Sequence, residues 1–120
     1  MNDQSMTASD LLKEWNGMKA QLEDVFRKRE QKNAKLLMEK GIALFNQFLN
    51  IANDLDVSIG KVISYDELDV KPVNLKERLE FIISRPHLYH SYRQLSELMI
   101  ELQKLYVKKE LIKKSSSRKS

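Results

Sequence analysis

KPVNLKERLEFIISRPHLYHSYRQLSELMIELQKLY, residues 71–106, decides the fold class, because both prolines, both histidines and the clearest helical periodicity of the chain fall inside it. Asn74 stands three residues before Glu77, the spacing of a capping box, which predicts a helix beginning at Leu75. Leu75, Leu79, Ile82 and Ile83 recur at helical spacing with Phe81 beside them. Pro86 disfavours the α region for Arg85, so this helix is expected to close at about Ser84. Beyond the break, Leu88, Tyr92, Leu95, Met99, Leu102 and Tyr106 are spaced 4, 3, 4, 3 and 4. Leu98 and Leu105 widen that stripe to the face of a helix packed in a bundle.

Upstream, residues 1–7 are expected to fray, with Ser9 or Asp10 as the first N-cap. Leu11, Leu12, Trp15, Met18, Leu22, Val25 and Phe26 then form one apolar face, in phase across Gly17. The polar run 27–33, RKREQKN, is expected to be a turn rather than part of one very long helix. From about Ala34 to Asn53 the apolar positions Leu37, Met38, Ile42, Leu44, Phe45, Phe48, Leu49 and Ile51 spread around the helix, as in a central bundle helix contacted on more than one side. Gly41 could let a neighbouring helix approach closely, although a merely tolerated glycine is the commoner explanation. Residues 54–73 carry no clear period, and a long loop is expected there, with Ser64 capping a short turn and Tyr65, Leu68 and Val70 pinning it to the core. The last helix should reach about Lys114, leaving 115–120 as a disordered basic tail. The expected fold is all-α: a single domain over residues 1–114, three long helices and one short.

The chain has 120 residues and no cysteine, which removes disulfides and thiolate metal sites and suits a reducing compartment. No apolar run approaches the roughly 18 residues needed to span a bilayer. The N-terminus lacks a basic region followed by an apolar one. A cytoplasmic protein without membrane partners is expected. Charge is uneven: residues 1–70 hold 9 Lys/Arg against 12 Asp/Glu, and residues 71–120 hold 12 against 5. Lys108, Lys109, Lys113, Lys114, Arg118 and Lys119 concentrate the positive end, where they could meet nucleic acid or another anionic surface, or simply complement the helix dipole in water.

Candidate chemistry is sparse. His87 and His90 are three apart near the start of the last helix, but two imidazoles are short of a metal site, and a third ligand such as Glu97 is only nominal. Asp54, Asp56, Ser58 and Gly60 resemble a calcium loop faintly, with the wrong spacing and no distal glutamate. Ser91, His90 and Asp66 can be assembled as a triad only on paper, since nothing builds an oxyanion hole. Three glycines in the whole chain leave no phosphate-binding loop. No enzyme activity, cofactor or metal is therefore expected. Arg78, Tyr89, His90 and Arg93 interleave basic and aromatic groups around Pro86, the composition of interface hot spots. A solvated surface is the plain alternative, with Arg78 and Arg93 paired to Glu80 or Glu97 and Tyr89 covering a helix end.

The run Lys71-Pro72-Val73-Asn74, then Glu77, Arg78, Leu79, Phe81 and Ile82, then Pro86, Tyr89, His90, Ser91, Tyr92, Gln94, Leu95, Glu97 and Leu98, resembles the YpoC-like family of small proteins from Gram-positive bacteria. The resemblance implies a cytoplasmic helical protein and brings no catalytic residue with it. It also implies a setting near DNA replication and repair or cell-wall synthesis. The expected function is a non-enzymatic interaction module, monomeric or homodimeric, that meets a protein partner through Arg78, Tyr89, His90 and Arg93. The alternative is a nucleic-acid-associated protein acting through the basic C-terminus.

Overall fold

The computed structural model describes residues 7–55 and 64–119, with side chains as far as residue 115. Four α-helices make up the described chain: α1 (Ala8–Arg27), α2 (Gln31–Ala52), α3 (Leu75–Ser84) and α4 (Tyr89–Lys119). The all-α bundle of three long helices and one short is the expected one. Among the described residues of the long connection between α2 and α3, Tyr65–Glu67 forms a 3-10 turn.

The first helix starts earlier than expected. Thr7, rather than Ser9 or Asp10, is its N-cap: the Thr7 hydroxyl accepts from the Asp10 amide, and the Asp10 carboxylate accepts from the Thr7 amide, each at 3.1 Å. Both α1 and α2 close with the same backbone device, in which a residue of positive φ follows the cap and two amides fold back onto the last carbonyls. After α1 the residue is Arg29, with Glu30 N bonded to Val25 O at 2.9 Å. After α2 it is Asp54, with Leu55 N bonded to Asn50 O at 2.7 Å. The turn between α1 and α2 is thus confined to Lys28–Glu30, and Gln31, Lys32 and Asn33, expected in the turn, are helical.

Helix α2 is the central element. It packs along α1 on one side and α4 on the other, and Met38, Phe45, Phe48 and Leu49 are fully buried between them. Trp15, Met18 and Leu22 come in from α1, Tyr92, Leu95, Leu98 and Leu102 from α4, and α3 lays Leu75, Leu79 and Ile82 against α4. Gly41 does permit a close approach. A Cβ built there would lie 2.9 Å from Trp15 Cζ3 and 3.1 Å from Leu95 Cδ2, whereas one at Gly17 would meet nothing within 4 Å.

The described part of the connection, from Ser64 to Asn74, is held down as expected: Leu68 is buried, Tyr65 and Val70 are half-buried, and the Tyr65 hydroxyl bonds Asn46 Oδ1 at 3.3 Å. Asn53 locks it to the end of α2, donating to Val70 O at 2.9 Å and accepting from Val70 N at 2.8 Å. Two expected caps are not formed. Ser64 makes no side-chain cap bond to the 3-10 turn, and Asn74, although α3 does begin at Leu75, has left-handed backbone (φ 56°) that carries its side chain off the α3 amides. Helix α4 runs to Lys119, past the expected end at about Lys114, and the side chains of the expected tail lie, from residue 116, outside the described residues.

Candidate functional site at the α3–α4 corner

The corner is built by Pro86. Arg85 leaves helical geometry (φ −136°), its carbonyl accepts from the Ser91 hydroxyl at 2.6 Å, and the chain re-enters a helix at Tyr89. The Ser91 hydroxyl thus helps to close the corner. His87 stands in the turn before α4, so the two histidines do not share adjacent helical turns; the His90 ring meets Phe81 edge-on at 5.4 Å. Among the described residues no group of three His, Cys, Asp or Glu is placed to hold a metal ion. Of the calcium-like set, the Asp54 carboxylate accepts from Lys109 at 2.8 Å, and Asp56, Ser58 and Gly60 lie outside the described residues.

Of the four corner residues, the structure brings Arg78 and His90 together and separates the other two. Arg78 and His90, with Asn74, Glu77, Phe81 and Gln94, line an open cleft of about 370 Å³ between α3 and α4. Within it the Arg78 guanidinium is already engaged. It donates to Glu101 in a two-pronged pair, Nη1 to Oε1 at 2.9 Å and Nη2 to Oε2 at 2.7 Å, and also to Val73 O at 3.0 Å and Gln94 Oε1 at 3.3 Å. Its partner is thus Glu101, not Glu80 or Glu97. Neither residue of this pair signals the other in the sequence, because they are joined across two helices.

Tyr89 leans the other way, onto α1, with its ring edge-on to Phe26 at 5.6 Å; this covers the end of α1 while leaving the residue 49% exposed. Arg93 is exposed one turn along α4. Ile83 and Leu88, either side of Pro86 in sequence, are exposed, an apolar contribution that the helical stripe had assigned to the core.

Beneath Tyr89, Tyr92 is buried against Trp15 and Phe26 and donates its hydroxyl to Glu23 at 2.8 Å. Burial, and then the Glu23 carboxylate, push its phenol up to about 12. The unfolded chain ionises a tyrosine near pH 10, so the stabilisation is whole below that pH and is lost as pH rises towards 12. Alkaline melts followed by circular dichroism should show a stability loss beginning near pH 10 that is reduced in Tyr92→Phe.

At the basic end, Lys109 donates to the Ala52 carbonyl and to Asp54, and Lys113 lies 3.8 Å from the same carboxylate, which these contacts hold below the usual carboxylate range. Lys108 and Lys114 are exposed, and the side chains of Arg118 and Lys119 lie outside those described.

The model of a family described as YpoC-like protein matches residues 5–114. A relative from Bacillus subtilis (strain 168), named "Uncharacterized protein YpoC", is 34% identical over 103 residues, which is 82% of this chain and 61% of the relative. The chain therefore spans less than two thirds of that relative's length. No solved structure matches. The family match takes in α1, α2, α3 and the packed part of α4, corner included, and the chain belongs to the YpoC-like family.

Proposed function

We propose that this protein is a non-enzymatic interaction module whose protein partner is met at the α3–α4 corner. The observation that carries the reading is the exposure at this corner of Tyr89, His90 and Arg93, with exposed Ile83 and Leu88 either side of Pro86 in sequence and an open cleft walled by Arg78 and His90. Aromatic and arginine side chains around an apolar centre are the chemistry on which interfaces concentrate their affinity. Arg78 takes part as a wall of the cleft held in place by Glu101, and Tyr89, His90 and Arg93 supply the contact groups. The setting implied by the family resemblance directs the search for the partner to proteins of DNA replication and repair and of cell-wall synthesis.

Affinity capture from a Bacillus lysate, with and without nuclease, tests the reading. A protein retained after nuclease and lost from the Tyr89→Ala/Arg93→Glu double variant is the expected result. Arg93 is exposed and Tyr89 only half covered, so the double variant should remain folded, which a melt verifies. Undiminished capture by the folded double variant would move the interface elsewhere. Loss of every partner after nuclease would transfer the function to the basic C-terminal residues.

A further inference from the structure

We infer that the outward face of α4 from Ile100 to Lys114 lies on anionic phospholipid surfaces. At about 100° per residue, positions nine apart in a helix point in opposite directions. Val107 is nine residues from Leu98 and Leu111 nine from Leu102, and both of those leucines are fully buried. Val107 and Leu111 accordingly face away from the bundle, 48% and 62% exposed, with Ile100 on the same side.

The lysines are sorted by the same geometry. Lys109 and Lys113 turn to Asp54 on the bundle side, at 2.8 and 3.8 Å, whereas Lys104, Lys108 and Lys114 are exposed around the apolar ridge. The two carboxylates of this stretch are drawn elsewhere, Glu101 to Arg78 at 2.7 Å and Glu110 towards Lys113 at 3.8 Å. What remains is a convex ridge of apolar side chains with a cationic border.

Three kinds of partner could answer the charge, and one answers the whole surface. Nucleic acid would engage the lysines and leave Val107 and Leu111 in water. A second copy would set the same lysines against themselves. An anionic bilayer interface takes the apolar side chains at the boundary of headgroups and acyl chains while the lysine stems lie along it and their ammonium groups meet phosphate. The helix lies on such a surface and does not cross it, since no helix of the described residues is long and apolar enough to span a membrane. This face is separate from the contact groups of the corner, so the two readings stand or fall independently.

Co-sedimentation of the full chain with vesicles of phosphatidylcholine containing about 30 mol% phosphatidylglycerol, against pure phosphatidylcholine, is the test. Binding to the anionic vesicles alone is expected, with affinity falling roughly fivefold for each of Lys104, Lys108 and Lys114 changed to glutamine. Val107→Ser/Leu111→Ser, at exposed positions, should fold normally and weaken vesicle binding severalfold while leaving retention on immobilised single-stranded DNA unchanged. Absence of binding to anionic vesicles would overturn the inference. So would vesicle binding indifferent to Val107→Ser/Leu111→Ser, or a lipid-free dimer in sedimentation velocity that the same variant dissociates.

Discussion

Trp15→Ala is expected to cost about 3–5 kcal/mol, as loss of a buried aromatic ring does, and so to remove much of the roughly 6–18 kcal/mol available to a chain of this length. Trp15 is 3% exposed, packs 6.3 Å from the Tyr92 ring and sits over Gly41, so its removal opens a cavity where α1, α2 and α4 meet. Urea melts give the magnitude, and a double-mutant cycle with Gly41→Ala gives the mechanism. In the wild-type background the added methyl meets a ring only 2.9 Å away, and overpacking should outweigh the gain of about 1 kcal/mol in helix propensity. In Trp15→Ala the ring is gone and only Leu95 Cδ2, the end of a flexible side chain 3.1 Å away, has to give, so the same methyl should stabilise. Gly17→Ala, with open space around it, should stabilise by up to about 1 kcal/mol in either background. If Gly41→Ala had the same sign in both backgrounds, the close approach would not be what the glycine serves.

Arg78→Ala should be the most damaging change among the corner residues, at about 2–3 kcal/mol. It removes charge-assisted hydrogen bonds from α3 to α4 and leaves Glu101 without its partner. The Arg78 side chain is 19% exposed and that of Glu101 40%, which places the cost below that of a fully buried ion pair. The guanidinium hydrogen bond holds the Glu101 carboxyl below its ordinary range. Its stabilisation is therefore complete above the ordinary carboxylate pKa and disappears as pH falls through the lowered one. Acid melts of Glu101→Gln should show a shallower loss of stability below about pH 4.5 than the wild type. An Arg78→Ala protein as stable as the wild type would make the pair ornamental and return Arg78 to the contact groups.

Periodicity disclosed which helices exist and which sides they bury, because a bundle rewards a repeated apolar face: Trp15, Leu22, Phe45, Leu79, Leu95 and Leu102 are all where the spacing puts them. It disclosed the ends poorly. Arg29 and Asp54 occupy positive-φ positions where glycine is the usual signal, and the capping box at α1 uses Asp10, shorter than the glutamate or glutamine normally sought. At Asn74 the expected residues were present, and the backbone took a conformation that prevents their use. The corner showed the same division. Tyr89, His90 and Arg93 were legible as exposed polar and aromatic groups, but the binding of Arg78 to Glu101 joins residues 23 apart and left no local trace. The outward ridge was illegible for another reason: Val107 and Leu111 fall outside the core stripe, and only the packed bundle establishes which side of α4 is left over.

The placement of α2 between α1 and α4 also sets an order of events during synthesis. When the ribosome has produced α2, one flank can be covered at once by α1 across the short turn Lys28–Glu30. The other flank, with Phe48 awaiting Tyr106 and the Ala52 carbonyl awaiting Lys109, stays bare until α4 has been translated. A nascent chain halted before α4 would thus leave this apolar flank of α2 open to the cell, and α4 is the stopper that ends that exposure.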